Sequence, residues 1–145
     1  MLYKATISDI PEMMEIERAS YSKPWDEQLF VQAVNSAGKH SFVSKIDSKI
    51  AGYIVFEVVA DEGHITNIAV TKQNRRRGIA TELIVKVLEL VRDHHINSVY
   101  LEVRQSNEAA KKLYEKFGFK EIGERKGYYQ GTNENALVYK LDAKK

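Results

Sequence analysis

Ile65-Thr66-Asn67-Ile68-Ala69-Val70 and, shortly after it, Arg75-Arg76-Arg77-Gly78-Ile79-Ala80 read together as a strand that runs through a short basic turn into a helix. Such a junction aims unpaired helix amides and the positive end of the helix dipole at one place. An anion docked there gains hydrogen bonds and favourable charge together, and the arginines add to the field. Gly78 stands where a phosphate would need to approach the backbone. The junction therefore predicts a ligand that carries phosphate. Taken without its context, Arg75-Arg76-Arg77 reads equally well as a solvated loop or a nucleic-acid contact.

Working back along the strand, roughly Glu62 to Thr71, Ile65 and Ile68 both seek the core although they are three apart, so a strict period of two puts them on opposite faces. A β-bulge near Asn67 reconciles them, and bulges leave backbone groups unpaired where a ligand can pair instead. A strand buried on both faces is the other reading.

Working forward, Gly78 to about His94 is the best helix of the chain, with Ile79, Leu83, Ile84, Val87, Leu88 and Val91 on one face. Ser98 to Val103 then alternates as a strand. Ser106-Asn107 offers caps for a helix whose inner face is Ala110, Leu113, Tyr114 and Phe117, and Gly118 ends it where a left-handed residue is needed. Strands at about Phe119 to Arg125 and Ala136 to Leu141 follow. Upstream, Leu2 to Ile7 reads as a strand, and Asp9 with Glu12 as a capping box opening a helix to about Tyr21, Pro11 being tolerated in its first turn. Pro24-Trp25 breaks the chain. Asp26 caps a second helix through about Ala37, with Leu29, Phe30, Ala33 and Val34 on one face, before a hairpin of Ser41–Ile46 and Lys49–Val59 around Asp47-Ser48. The order β-α-α-β-β-β-α-β-α-β-β predicts an α/β (α+β) fold, a mixed sheet with helices on its faces.

The 145 residues fit one domain, residues 1–145, and a chain of that size buries about 68–70% of its unfolded surface. The absence of cysteine excludes disulfides, thiolate metal sites and cysteine nucleophiles, and suits a reducing cytoplasm. A net charge of +2 does not indicate general nucleic-acid affinity. With no stretch as long and apolar as a membrane span and no targeting pattern at Met1-Leu2-Tyr3-Lys4, a soluble, untargeted, cytoplasmic protein without a membrane partner is expected.

Ile68-Ala69-Val70, Arg75-x-x-Gly78-x-Ala80, Leu101-Glu102-Val103-Arg104-x-Ser106-Asn107, Ala110, Leu113-Tyr114-x-x-x-Gly118-Phe119 and Gly127-Tyr128-Tyr129 together resemble the GCN5-related N-acetyltransferase (GNAT) superfamily. Among its branches the chain is most similar to the RimI-type ribosomal-protein-alanine N-acetyltransferases, which Pro24-Trp25 and Asn135-Ala136-Leu137-Val138 also fit. The resemblance spans nearly the whole chain. It implies a mostly antiparallel central sheet with helices on both faces and a bulge in the fourth strand. It also implies acetyl-coenzyme A as donor, with no metal, and as acceptor the N-terminus of a protein, a ribosomal one beginning with alanine.

By that resemblance the pyrophosphate lies on the turn of Arg75, Arg76, Arg77, Gly78, Ile79 and Ala80, where Ala80 replaces a more usual glycine. The pantetheine arm pairs with the backbone of Ile68, Ala69 and Val70, and Asn107 lies beside the cofactor. Glu102 is the general base and Tyr114 the general acid at sulfur, roles that attack of an amine on a thioester requires. The residues alone read as a solvated strand glutamate and a core tyrosine, and Glu62 is a competing base. An α-amine has a pKa of about 7.7–8 against about 10.4 for lysine, so a modest base suffices for it, although a small amine or a lysine is compatible with the same residues. Gly127-Tyr128-Tyr129 is implied to clamp the acceptor, or else packs within a hairpin. His94-His95 ends a helix, and His40 and His64 read as structural.

Overall fold

The computed structural model describes residues 1–129 and 134–143. Among them lie the strands β1 (Leu2–Lys4), β2 (Lys39–Ile46), β3 (Lys49–Val59), β4 (Glu62–Val70), β5 (Ser98–Arg104), β6 (Lys120–Tyr129) and β7 (Glu134–Asp142), of which β3 is the richest in β-branched and aromatic residues. They build one sheet in the order β1-β2-β3-β4-β5-β7-β6. Neighbours are antiparallel except β4 and β5, which run parallel and so require a crossover. The crossover is the helix α3 (Ile79–Asp93). The remaining helices are α1 (Ile10–Ser20), α2 (Glu27–Asn35) and α4 (Glu108–Lys116).

Helices cover both faces of the sheet, as the element order predicts. On one face α3 buries Ile79, Leu83, Ile84, Val87 and Val91, and α4 adds Tyr114. Leu88, expected among them, is half-buried. On the other face Met13 and Ile16 of α1 and Phe30 of α2 pack on Tyr53 and Ala69, with Phe30 edge-on to Tyr53 at 5.7 Å between ring centres. Each such apolar side chain contributes about 1.5–3 kcal/mol when fully buried, which outweighs local propensity in fixing where the helices lie.

The irregularity of β4 is a bulge. Val55 pairs with Asn67 and Phe56 with Ile65, which leaves Thr66 as the extra residue. The insertion brings Ile65 and Ile68 to the α3 side together and turns Asn67 towards α1. The hairpin around Asp47-Ser48 is present, with φ of 50° and 68° at those two residues, as a tight turn matched to strand twist demands. Gly118 ends α4 at φ 97°.

Several local expectations yield to tertiary partners. Asp9 and Glu12 do not form a capping box. The Asp9 carboxylate accepts the Thr6 amide at 2.9 Å and faces Lys45 Nζ at 3.1 Å, closing a 3₁₀ turn over Ile7–Asp9 that ends β1 at Lys4. Glu12 instead accepts the Ile50 amide at 2.6 Å, tying α1 to β3. Asp26 does cap α2, accepting the Leu29 amide at 3.0 Å, but Leu29 itself is 41% exposed and the helix stops at Asn35. Among the described residues no helix is long and apolar enough to cross a membrane.

Candidate active site

Where the bulge bends it, β4 leaves β5. The parallel pairing runs from Glu62 opposite Ser98 to Ile65 opposite Leu101 and then stops. Beyond that point β4 stays with β3 as far as Val70, while β5 stays with β7, Glu102 opposite Val138 and Arg104 opposite Ala136. The two strands splay. A cleft of about 640 Å³ opens between them, bounded by Thr66, Asn67 and Ile68 of β4 and by Leu101, Glu102 and Arg104 of β5. Tyr114 of α4, Arg125 of β6 and the connection from α1 to α2, through Tyr21 and Trp25, complete its walls.

Glu102 projects into this cleft because it alternates along β5 with the buried Leu101 and Val103. Its Oε1 forms an ion pair with Arg125 Nη2 at 3.3 Å. Its Oε2 is buried and, among the described residues, has no hydrogen-bond partner. A buried carboxylate oxygen without a donor is costly, and such exceptions in a folded protein call for a reason. Tyr114 reaches the same cleft from α4 and is 5% exposed, its ring edge-on to Phe119 and Tyr139 at 5.9 and 6.5 Å. Glu62, the competing base, does not line the cleft; its carboxylate lies 3.6 Å from His64 Nε2 at the start of β4.

A smaller hollow of about 260 Å³ is bounded by Val70, by Arg75, Arg76, Gly78, Ile79 and Ala80, and by Ala109 and Leu113 of α4. Gly78 precedes α3 at φ 80°, a conformation that favours glycine, and a Cβ there would meet nothing within 4 Å. Arg76 is also left-handed, at φ 66°. Turns of this kind gather successive amides into an anion-binding concavity, and the first turn of α3 adds its unpaired donors. Arg75 Nε donates to the Val70 carbonyl at 3.4 Å. Arg77 donates to Asn74 Oδ1 at 3.3 Å and does not itself line the hollow.

The remaining expected residues divide between backbone and side chain. Ala69 is buried against the α1 face, so only its backbone can serve the splayed edge, whereas Ile68 lines the cleft. Asn107 caps α4, its Oδ1 accepting the Ala110 amide at 3.1 Å, and lines neither hollow. The side chains of Gly127-Tyr128-Tyr129 lie outside those described. Among the described residues no cluster of histidines and carboxylates is placed to hold a metal ion.

Sequence reasoning missed Glu17. It is 2% exposed, lines the cleft, and accepts from the Tyr53 hydroxyl, from Asn67 Nδ2 at 2.8 Å and from the Trp25 amide at 2.9 Å. The signal was its spacing: Glu17 falls on the stripe of Ile10 and Met13, where a carboxylate must find partners inside the protein. Tyr21 was also missed; its hydroxyl donates to the Ile68 carbonyl on the splayed edge.

The model of the acetyltransferase (GNAT) family matches residues 10–119. The [ribosomal protein bS18]-alanine N-acetyltransferase of Escherichia coli K12 is 33% identical over 137 residues, covering 92% of this chain and 91% of that one. An N-alpha-acetyltransferase of Saccharolobus solfataricus is 33% identical over 150 residues, covering 94% and 90%. The crystal structure of the Escherichia coli ribosomal-protein-S18-alanine N-acetyltransferase superposes with a TM-score of 0.92 at 29% identity, covering 100% of this chain and 94% of that one. With the splayed parallel pair, the bulge and the arginine turn all in one chain, and with this coverage, the protein belongs to the acetyltransferase (GNAT) family.

Proposed function

We propose that this acetyltransferase moves the acetyl group of acetyl-coenzyme A to the N-terminal α-amine of a protein, in the cytoplasm, with a ribosomal protein beginning with alanine as acceptor. The observation that carries the reading is the placement of Glu102 and Tyr114 in one cleft at the point where β4 parts from β5. Similarity to the Escherichia coli and Saccharolobus enzymes supports the choice of an α-amine.

The cofactor fits the residues present. The space around Gly78, the first-turn amides of α3 and the guanidinium groups of Arg75 and Arg76 suit a pyrophosphate, with Arg77 and Ile79 shaping the same turn. The edge of β4 over Ile68, Ala69 and Val70 suits an extended chain of amides, which would pair with it as an added strand. Asn107 holds the helix that closes this side. Bound there, acetyl-coenzyme A supplies a thioester carbonyl carbon as electrophile.

The chain's own groups do the proton work. The Glu102 carboxylate, held in the cleft by its ion pair with Arg125, takes a proton from the incoming amine. An α-amine, with a pKa of about 7.7–8, asks little of such a base. The Tyr114 phenol gives its proton to the departing sulfur, and general acid and base roles of this kind contribute about 10²–10⁴-fold each. Glu62 does not itself line the cleft, its carboxylate lying against His64, and is given no part in this reading.

The test is incubation with acetyl-coenzyme A and a panel of peptides with free N-termini, blocked peptides with an internal lysine, and polyamines, read by mass. Acetylation of a peptide beginning with alanine in clear excess over the others is expected. Polyamine turnover above the peptides would replace the reading with a small-amine enzyme, and RNA binding with a steep salt slope and no acetylation would overturn it.

A further inference from the structure

We propose that Glu17 is a positioning residue whose buried carboxylate holds the connection between α1 and α2 against the bulge of β4, and so sets the width of the cleft for the acceptor. The acceptor part rests on the transferase reading above.

A carboxylate that is 2% exposed within an apolar cluster carries a desolvation penalty of several kcal/mol and persists only where donors surround it. Glu17 has donors from three separate places. Oε1 takes the Tyr53 hydroxyl of β3 and Asn67 Nδ2, the residue next to the extra Thr66 of the bulge. Oε2 takes the Trp25 amide of the connection. One oxygen therefore grips the sheet and the other grips the loop, and the rigid carboxylate fixes the distance between them. Burial, strengthened by the neighbouring Glu17 carboxylate, pushes the Tyr53 phenol far up, so it stays a donor at every ordinary pH.

The loop so held forms one wall of the cleft through Tyr21 and Trp25. Tyr21 makes a second tie, its hydroxyl on the Ile68 carbonyl, and Trp25 rests on Phe30 at 5.3 Å between ring centres. Glu17 is thus the link between the geometry of β4 and that of the wall facing it. Its influence on the acceptor passes through Trp25 and Asn67, the partners that belong to those two walls.

Trp25 is the one tryptophan of the chain, so its fluorescence reports on the loop directly. Glu17→Gln keeps the shape, but with its oxygen on Tyr53 and Asn67 it turns an NH₂ on the Trp25 amide. In the full-length protein, acrylamide quenching of Trp25 is expected to rise. The KM for an N-terminal peptide should rise roughly tenfold, the low end of what a charge-assisted hydrogen bond amounts to, with acetyl-coenzyme A affinity and kcat nearly unchanged. Tyr53→Phe, which removes only a hydroxyl, should move both readouts the same way by less, and serves if Glu17→Gln does not fold. Unchanged quenching or unchanged acceptor KM in a folded variant overturns the proposal. So does an equal loss of acetyl-coenzyme A affinity, the mark of a merely structural residue. The quenching needs no turnover, so a wild-type protein that acetylates nothing would sink the transferase reading while the loop test still gave its own answer.

Discussion

The two walls of the cleft each carry a glutamate, and the two are treated oppositely. Glu17, on the α1 wall, has three donors on its carboxylate; Glu102, on the β5 wall, has one oxygen on Arg125 and the other, buried, with none among the described residues. A satisfied buried carboxylate holds elements together, and its removal leaves donors stranded. An unsatisfied one stores an interaction that folding does not use. The difference separates the part of the site that gives shape from the part to which the proposed mechanism assigns the chemistry.

The largest expected effect attacks the open side. Under the proposed mechanism Tyr114→Phe should lower kcat by about 10²–10⁴-fold with little change in KM, and Glu102→Gln should do the same near neutral pH and less at high pH, where neutral amine is already present. Steady-state kinetics across pH check both. Wild-type kcat in Tyr114→Phe would remove it as the acid, and a Glu102→Gln enzyme unimpaired at every pH would hand the proton to solvent.

On stability the contrast should invert. Glu17→Ala strands the Tyr53 hydroxyl, the Asn67 amide and the Trp25 amide, at about 1–3 kcal/mol for each group left buried, so urea unfolding should show a loss of about 3 kcal/mol or more. Glu102→Ala removes a partner of Arg125, itself 59% exposed, together with the stranded oxygen, and should stay within about 1 kcal/mol of wild type. Similar losses from the two would erase the distinction.

A smaller effect concerns the anion hollow. Gly78→Val places a branched side chain into open space at φ 80°, so calorimetry should show acetyl-coenzyme A affinity weakened roughly tenfold or more in a protein that still folds, the left-handed strain itself costing about 1–2 kcal/mol. The smallest lies outside the cleft. Burial pushes the Asp9 carboxyl up, but the Thr6 amide and Lys45 outweigh it and hold it below its ordinary value of 3.8. A lowered folded pKa means stability present above that value and lost as pH falls through the folded one. Asp9→Asn should therefore destabilise at neutral pH and flatten the acid side of the stability curve.

Much of the fold is legible in the order of the residues. The α3 stripe from Ile79 to Val91, the Asp26 cap and the left-handed Gly118 follow from spacing, because period and turn chemistry are properties of neighbouring residues, whereas spacing left a bulge and a strand buried on both faces equally open between Ile65 and Ile68 until the register of β3 and β4 chose the bulge. Asp9 and Glu12 mislead for the complementary reason. Their local capping pattern is sound, but Lys45 and the Ile50 amide, distant in sequence, offer better partners.

The sequence by itself determined the order of elements, the faces they bury, the arginine turn and the family pattern around Glu102 and Tyr114, since each is written in residues a few positions apart. Only the tertiary structure decided that Glu102 rather than Glu62 lines the cleft, that Arg77 is held by Asn74 and does not line the smaller hollow, and that Glu17 is buried between sheet and loop. Those outcomes depend on where β4 and β5 part and on which donors lie within about 3 Å of a carboxylate, and such distances are set by the packing of elements far apart in the chain.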